Sequence, residues 1–141
     1  MNRRAFILTS TALVVIAGHA AAGGAGFVDF DASDPITAAL DEGKTVLVDY
    51  AADWCSTCAR QERIITALRA ANPAYDENIV FIRVDWDDFG NAPVTTSRNI
   101  PRRSTLIVLR GDDELGRLVA GTREGDIQAL MDRALQAATG A

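Results

Sequence analysis

The residues best suited to chemistry sit in one short run, residues 46–58 (VLVDYAADWCSTC), which holds both cysteines of the 141-residue chain. Cys55 and Cys58 stand three positions apart where a helical pattern begins. At a helix start, unpaired backbone N–H groups and the positive end of the helix dipole favour a thiolate, the nucleophilic form of sulfur. Cys55 is therefore the candidate attacking thiol. Cys58 lies almost one turn further on and on the same side, where it can attack the mixed disulfide formed by Cys55 and release the reduced target. An inert staple fits the spacing poorly, because so short a loop removes less chain entropy than the roughly 3 kcal/mol of a 15-residue one. A metal or iron–sulfur module remains as an alternative. Two cysteines make only half a tetrahedral site, so it would draw two further ligands from outside, for instance across a dimer.

Asp49 is the second chemically notable residue. It interrupts an apolar run six residues before Cys55, and a lone buried carboxyl is costly and tends to hold its proton, which makes it a candidate proton acceptor for Cys58. The alternative is a strand-end carboxylate reaching solvent or a backbone N–H. The lone histidine, His19, falls in the N-terminal segment discussed below, so a processed chain carries none. That excludes Cys–His nucleophilic catalysis and a Cys/His zinc site.

The elements that must position these residues are readable from periodicity. Residues 27–30 read as a short first strand, and 35–42 as a short helix, with a side-chain oxygen at Ser33 or Asp34 as cap, Pro35 in the first turn and Gly43 as stop. Residues 45–50 form a nearly continuous apolar run, as expected for a central strand covered on both faces. From 55 to about 71 the pattern is helical, with Cys58, Ile65, Leu68 and Ala71 near one face and Arg60, Glu62, Arg63 and Arg69 largely on others. Residues 78–85 make a second apolar strand, completing a βαβ unit. The stretch 86–93 reads as a solvated loop. Its acids Asp87 and Asp88, with Asp85, lack the glycine and terminal glutamate of a calcium loop. A short helix is expected within 93–99, then strands at 104–109 and 115–120 joined by a hairpin turn. A last helix over 122–138 has Thr122 as cap and Ile127, Leu130, Met131, Ala134 and Leu135 on its core face.

Length and composition suit one domain, since 48% hydrophobic content can build a core without metal or disulfide help. Residues 1–22 have the layout of a cleavable export signal: Arg3 and Arg4, an apolar stretch, then small residues ending at Ala22. The alternative is an uncleaved membrane anchor, for which the stretch is short. The paired arginines are compatible with the twin-arginine route or the general secretory route. Residues 23–26 read as a flexible joint and 27–141 as the folded domain. Net charge is −5, and −7 once Arg3 and Arg4 are removed, which argues against nucleic acid or an anionic membrane surface as partner. The expected location is the periplasm, where disulfides persist.

The run from Val48 to Cys58, a strand with an embedded acid leading into Trp54-Cys55-Ser56-Thr57-Cys58, resembles the active-site segment of thioredoxin-fold proteins. Its Ala-Asp-Trp-Cys portion is especially similar to the C-terminal periplasmic domain of the transmembrane disulfide reductase DsbD. The resemblance implies an α/β thioredoxin fold, with a central mixed β-sheet flanked by helices in a single domain. It also implies a redox-active Cys55–Cys58 disulfide with no further cofactor and no metal, Cys55 as nucleophile, Cys58 as resolving thiol, Asp49 as proton acceptor, and Trp54 packing beside the site. The partners it implies are disulfide-containing periplasmic proteins and a membrane electron donor, with the chain acting as a monomer.

Two departures from that pattern are informative. The dipeptide Ser56-Thr57 replaces the Gly-Pro of typical thioredoxins and the Pro-His of strong oxidants, which favours a reductant or an intermediate-potential carrier. Further on, the family carries a cis-proline before the strand facing the site, usually followed by threonine, whose backbone pairs with substrate. Here Ser104 precedes Thr105 at that place, the alternative being Pro101 with three extra residues before the strand. Because a non-proline cis bond costs about 2.5–4 kcal/mol, a trans peptide is expected. The exchange opens space beside Cys55 and adds a hydroxyl. It also leaves open a binding domain that keeps the fold without turnover. Arg102 and Arg103 would flank the site, either favouring the thiolate and acidic partners or simply solvated. The sequence thus points to an exported thiol–disulfide oxidoreductase.

Overall fold

The strand that carries Asp49 is the middle of the molecule. In the computed structural model, which describes residues 26–140, β2 (Thr45–Ala51) is buried along its whole length. The expected leader and most of the joint lie outside the described residues. β2 pairs in parallel with β3 (Ile79–Asp85) and antiparallel with β4 (Thr105–Arg110). The two-residue β1 (Val28–Asp29) flanks β3, and β5 (Asp113–Val119) flanks β4, giving a mixed five-stranded sheet in the order β1-β3-β2-β4-β5. The apolar run of β2 has the reason anticipated: both faces are covered.

Alternation along β2 divides the core. Leu47 joins Phe81, Leu106 and Val108 beneath Ile65 and Leu68 of α2 (Ser56–Ala71) and Ile127, Leu130 and Met131 of α6 (Glu124–Thr139). Val46, Val48 and Tyr50 face the other way with Ile82 and Ile107, against Ile36 and Ala39 of α1 (Pro35–Asp41) and against Val94. Asp49, two residues after Leu47, therefore lies on the face covered by α2.

Local chemistry sets most boundaries. Asp34, rather than Ser33, caps α1 by accepting the Thr37 N–H at 3.0 Å, with Pro35 at the first helical position. The stretch expected as a loop after β3 contains a single-turn helix, α4 (Trp86–Phe89), because Asp85 accepts the N–H groups of Asp87 and Asp88. α5 (Pro93–Thr96) is shorter than the segment expected to hold it. Thr122 is not the cap of α6: the flanking residue is Arg123, which makes no side-chain cap bond, and Glu124 and Asp126 complement the dipole in the first turn. The hairpin closes at Gly111-Asp112, so β5 begins at Asp113, earlier than its apolar residues suggested.

Two features escape periodicity. α3 (Ala74–Asn78) lies between α2 and β3, and its buried Tyr75 donates to Asp132 of α6 at 2.5 Å. Arg69, expected largely off the face of Cys58, Ile65 and Leu68, is only 6% exposed, whereas Ala71, expected near that face, is exposed. The Arg69 guanidinium lies 4.1 Å from the Phe81 ring centre and donates to Asp76 and to the Gly26 carbonyl. Its ion pair and aromatic stack replace the water it gives up. Arg69→Ala is expected to lose about 1.5–3 kcal/mol of stability in urea unfolding, the worth of hydrogen bonds to a charged group. Arg60→Ala, on the exposed side of the same helix, should stay within about 0.5 kcal/mol.

Candidate active site

At the end of β2 the chain makes a tight step, closed by the Cys55 N–H donating to the Ala52 carbonyl at 3.2 Å. Cys55 then caps α2 in an extended conformation (φ −91°, ψ 109°), and its Sγ accepts the Cys58 N–H at 3.2 Å. Cys55, the candidate nucleophile, thus takes the capping place that Ser, Thr or Asp commonly fills, with no acidic residue in the first turn to oppose negative charge on it. Cys55 and Cys58 are joined as a disulfide, with Cα atoms 5.3 Å apart. Both are nearly buried, packed with Ala51, Ala52 and Trp86.

Trp86, half-buried, packs against the cluster formed by Ala51, Ala52 and the two cysteines. Trp54, expected beside the site, is 60% exposed. It is nevertheless held in place. Its indole N–H donates to both Asp87 oxygens, at 3.1 and 2.9 Å, and the Arg103 guanidinium lies 4.4 Å from its ring centre. Asp87 and Arg103 are therefore engaged with Trp54 rather than merely solvated, and together they present an aromatic face at the rim of the site.

Ser104 closes the site from the opposite side. It is fully buried, and its Oγ lies 3.2 Å from Cys55 Sγ and 3.1 Å from Cys58 Sγ. No cis peptide occurs among the described residues, and Ser104 has φ +63°. Its backbone is spent internally: its N–H donates to the Tyr50 carbonyl at 2.7 Å, and its carbonyl accepts from the Ala120 N–H at 2.8 Å and from Gln61 Nε2 at 3.1 Å. Thr105 turns to the far face and donates to the Arg102 carbonyl at 2.7 Å, while Arg102 Nε donates to the Arg103 carbonyl. Ser56 is exposed and Thr57 half-buried beside the sulfurs. Gln61, one turn beyond Cys58, was missed by sequence reasoning. Its spacing on the Cys58 face was the available signal, and it ties α2 to Ser104 and to the Gly121 carbonyl.

Asp49 is fully buried, and neither of its carboxyl oxygens has a hydrogen-bond partner. Burial first, with a smaller contribution from Glu62 and some relief from Arg83, pushes its pKa up from 3.8 to about 7. Arg83 stands directly opposite on β3, yet its guanidinium reaches away to Asp53 and Asp85. Among the described residues no group of three or more His, Cys, Asp and Glu side chains is gathered to hold a metal, and no helix is long and apolar enough to cross a membrane.

A family model described as thioredoxin-like matches residues 29–106, from the first strand to the start of β4. The chain belongs to this family. Thioredoxin H5 of Oryza sativa subsp. japonica is 30% identical over 88 residues, covering 62% of this chain and 60% of that protein. A thioredoxin H-type of subsp. indica is 30% identical over 100 residues, covering 71% and 75%. Among solved structures, Trxlp from Edwardsiella tarda EIB202 is 32% identical with a TM-score of 0.62, covering 73% of this chain and 97% of its own. Malassezia sympodialis thioredoxin, at 18% identity and a TM-score of 0.66, shares the fold.

Asp49 makes the pH dependence of stability testable. Its pKa is raised in the folded state, so the stability it contributes is complete below its unfolded value near 4 and lost as pH rises through about 7. About three units correspond to about 4 kcal/mol. The oxidised protein is expected to lose stability across that window in denaturant titrations, and Asp49→Asn should flatten this part of the profile.

Proposed function

We propose that the chain is an exported thiol–disulfide oxidoreductase, working as a reductant or intermediate-potential electron carrier. The observation that carries this reading is Cys55 itself: the cap of α2, its sulfur receiving the Cys58 N–H and bonded to Cys58, within a thioredoxin-like fold.

In the dithiol form the Cys55 thiolate attacks a disulfide of the target protein. This forms a Cys55–target mixed disulfide and expels one target thiolate. Cys58 gives up its proton and attacks Cys55 Sγ, which closes the Cys55–Cys58 disulfide and expels the second target thiolate. Two electrons have then passed to the target. Asp49 is the acceptor for the Cys58 proton. Its position on the face covered by α2 and its pKa near 7 support that role, since such a carboxyl exchanges protons readily near neutrality. The absence of histidine from residues 26–140 supports a carrier over a strong oxidant.

Export to the periplasm, recharging by a membrane electron donor and kinship with the C-terminal domain of DsbD complete the reading. They rest on residues 1–22 and on the Ala-Asp-Trp-Cys run.

The purified domain is expected to reduce insulin disulfides with a dithiol donor. Cys55→Ser should abolish turnover, and Cys58→Ser should accumulate a mixed disulfide visible on non-reducing gels. Full turnover by Cys55→Ser would overturn the proposal. The full chain, expressed in a Gram-negative host, should be recovered processed in the periplasmic fraction, and retention in the cytosol would contradict export.

A further inference from the structure

Ser104 holds a backbone conformation that disfavours any residue with a Cβ, at φ +63°. Proline, with φ confined near −65°, cannot occupy it. Strain of this kind persists only where the surroundings enforce it, and it gathers at functional sites. Here three hydrogen bonds enforce it, from Ser104 N–H to the Tyr50 carbonyl and from Ala120 N–H and Gln61 Nε2 to the Ser104 carbonyl. Their combined effect is to set one fully buried hydroxyl almost equally far from the two reacting sulfurs, 3.2 Å from Cys55 and 3.1 Å from Cys58.

We propose that the Ser104 hydroxyl is a catalytic hydrogen-bond donor that follows the negative charge between Cys55 and Cys58 during exchange. This rests on the exchange reading above. A hydroxyl carries one donor hydrogen and two acceptor lone pairs, and it rotates freely enough to choose its partner. In the dithiol form it donates to the Cys55 thiolate while its oxygen accepts from the Cys58 S–H, so a single group serves both sulfurs. When Cys55 has bonded to the target and Cys58 has lost its proton to Asp49, the hydroxyl turns to the Cys58 thiolate. It gives up no proton of its own, and the bonds made and broken are those of the exchange itself. In the disulfide form the two sulfurs differ by only 0.1 Å in distance from Oγ, so the hydroxyl stands within reach of either.

A thiolate accepts a much stronger hydrogen bond than a neutral disulfide sulfur does. The hydroxyl therefore stabilises the dithiol form over the disulfide and raises the thiolate fraction of Cys55.

Two variants test this. Ser104→Gly removes the hydroxyl and suits φ +63° better than serine does, whereas Ser104→Ala removes the oxygen and keeps the Cβ. In both, the midpoint of the Cys55 thiolate absorbance titration is expected to rise by about one pH unit, a tenfold change. The equilibrium with glutathione, measured above that midpoint, should shift about tenfold toward the disulfide, or about 30 mV for a two-electron couple. Unchanged values in both variants, or a shift in Ser104→Ala alone, would overturn the proposal and leave the exchange reading standing. A wild-type protein that fails to equilibrate with glutathione at all would overturn both.

Discussion

The main-chain clamp on Ser104 is the constraint on which the rest of the site depends. Through one residue it joins the end of β2 at Tyr50, the exit of β5 at Ala120 and the second turn of α2 at Gln61. Those three elements come from separated parts of the chain, and only their convergence brings a hydroxyl to both sulfurs. The loop leading into Ser104 is held in the same manner. Arg117 on β5 donates to the Arg98 and Asn99 carbonyls at 2.7 and 2.9 Å, and Thr105 and Arg102 secure the carbonyls of Arg102 and Arg103. Such lacing matters because a strained residue relaxes unless its neighbours over-determine it.

The clamp also occupies the backbone groups of Ser104. In the cis-proline pattern, backbone at this position pairs with the incoming chain. Here both Ser104 backbone groups are already satisfied within the fold, and the Arg103 carbonyl accepts from Arg102. The Trp54 face, steadied by Asp87 and Arg103, is left exposed at the rim of the site. A second tension lies beneath the sulfurs. Asp49 would be more comfortable paired with Arg83, its register partner, but Arg83 is drawn to Asp53 and Asp85. The carboxyl is left without a hydrogen-bond partner, a cost to stability.

Much of the fold was legible in the sequence because periodicity reports burial. The continuous apolar run of β2, the helical spacing of Ile65 with Leu68 and of Ile127 with Met131, and the strand–helix–strand order all follow from which faces must avoid water. Legibility failed where burial is achieved by pairing instead of apolarity. Arg69 reads as lying off the face of Cys58, Ile65 and Leu68 because charge ordinarily marks a face turned from the core. Asp76, Phe81 and Phe27, remote or not obviously related in sequence, make its burial tolerable. Single-turn elements such as α3 and α4 are too short for a period to emerge. Thr122 looked like a cap by residue type, although the helix begins one residue later than a cap there would require.

The sequence by itself determined the chemistry available: two cysteines three apart at a helix start, an acid on the strand before them, a serine ahead of β4, and no histidine after residue 19. Local rules suffice for these, since capping, dipole and spacing act within a turn or two of chain. Only the tertiary structure decided that Trp86 packs against the cysteine cluster, that Gln61 binds the β4 entry, and that Ser104 adopts a left-handed backbone with its hydroxyl beside both sulfurs. Each depends on hydrogen bonds or packing between segments some thirty to sixty residues apart. No local propensity encodes such contacts.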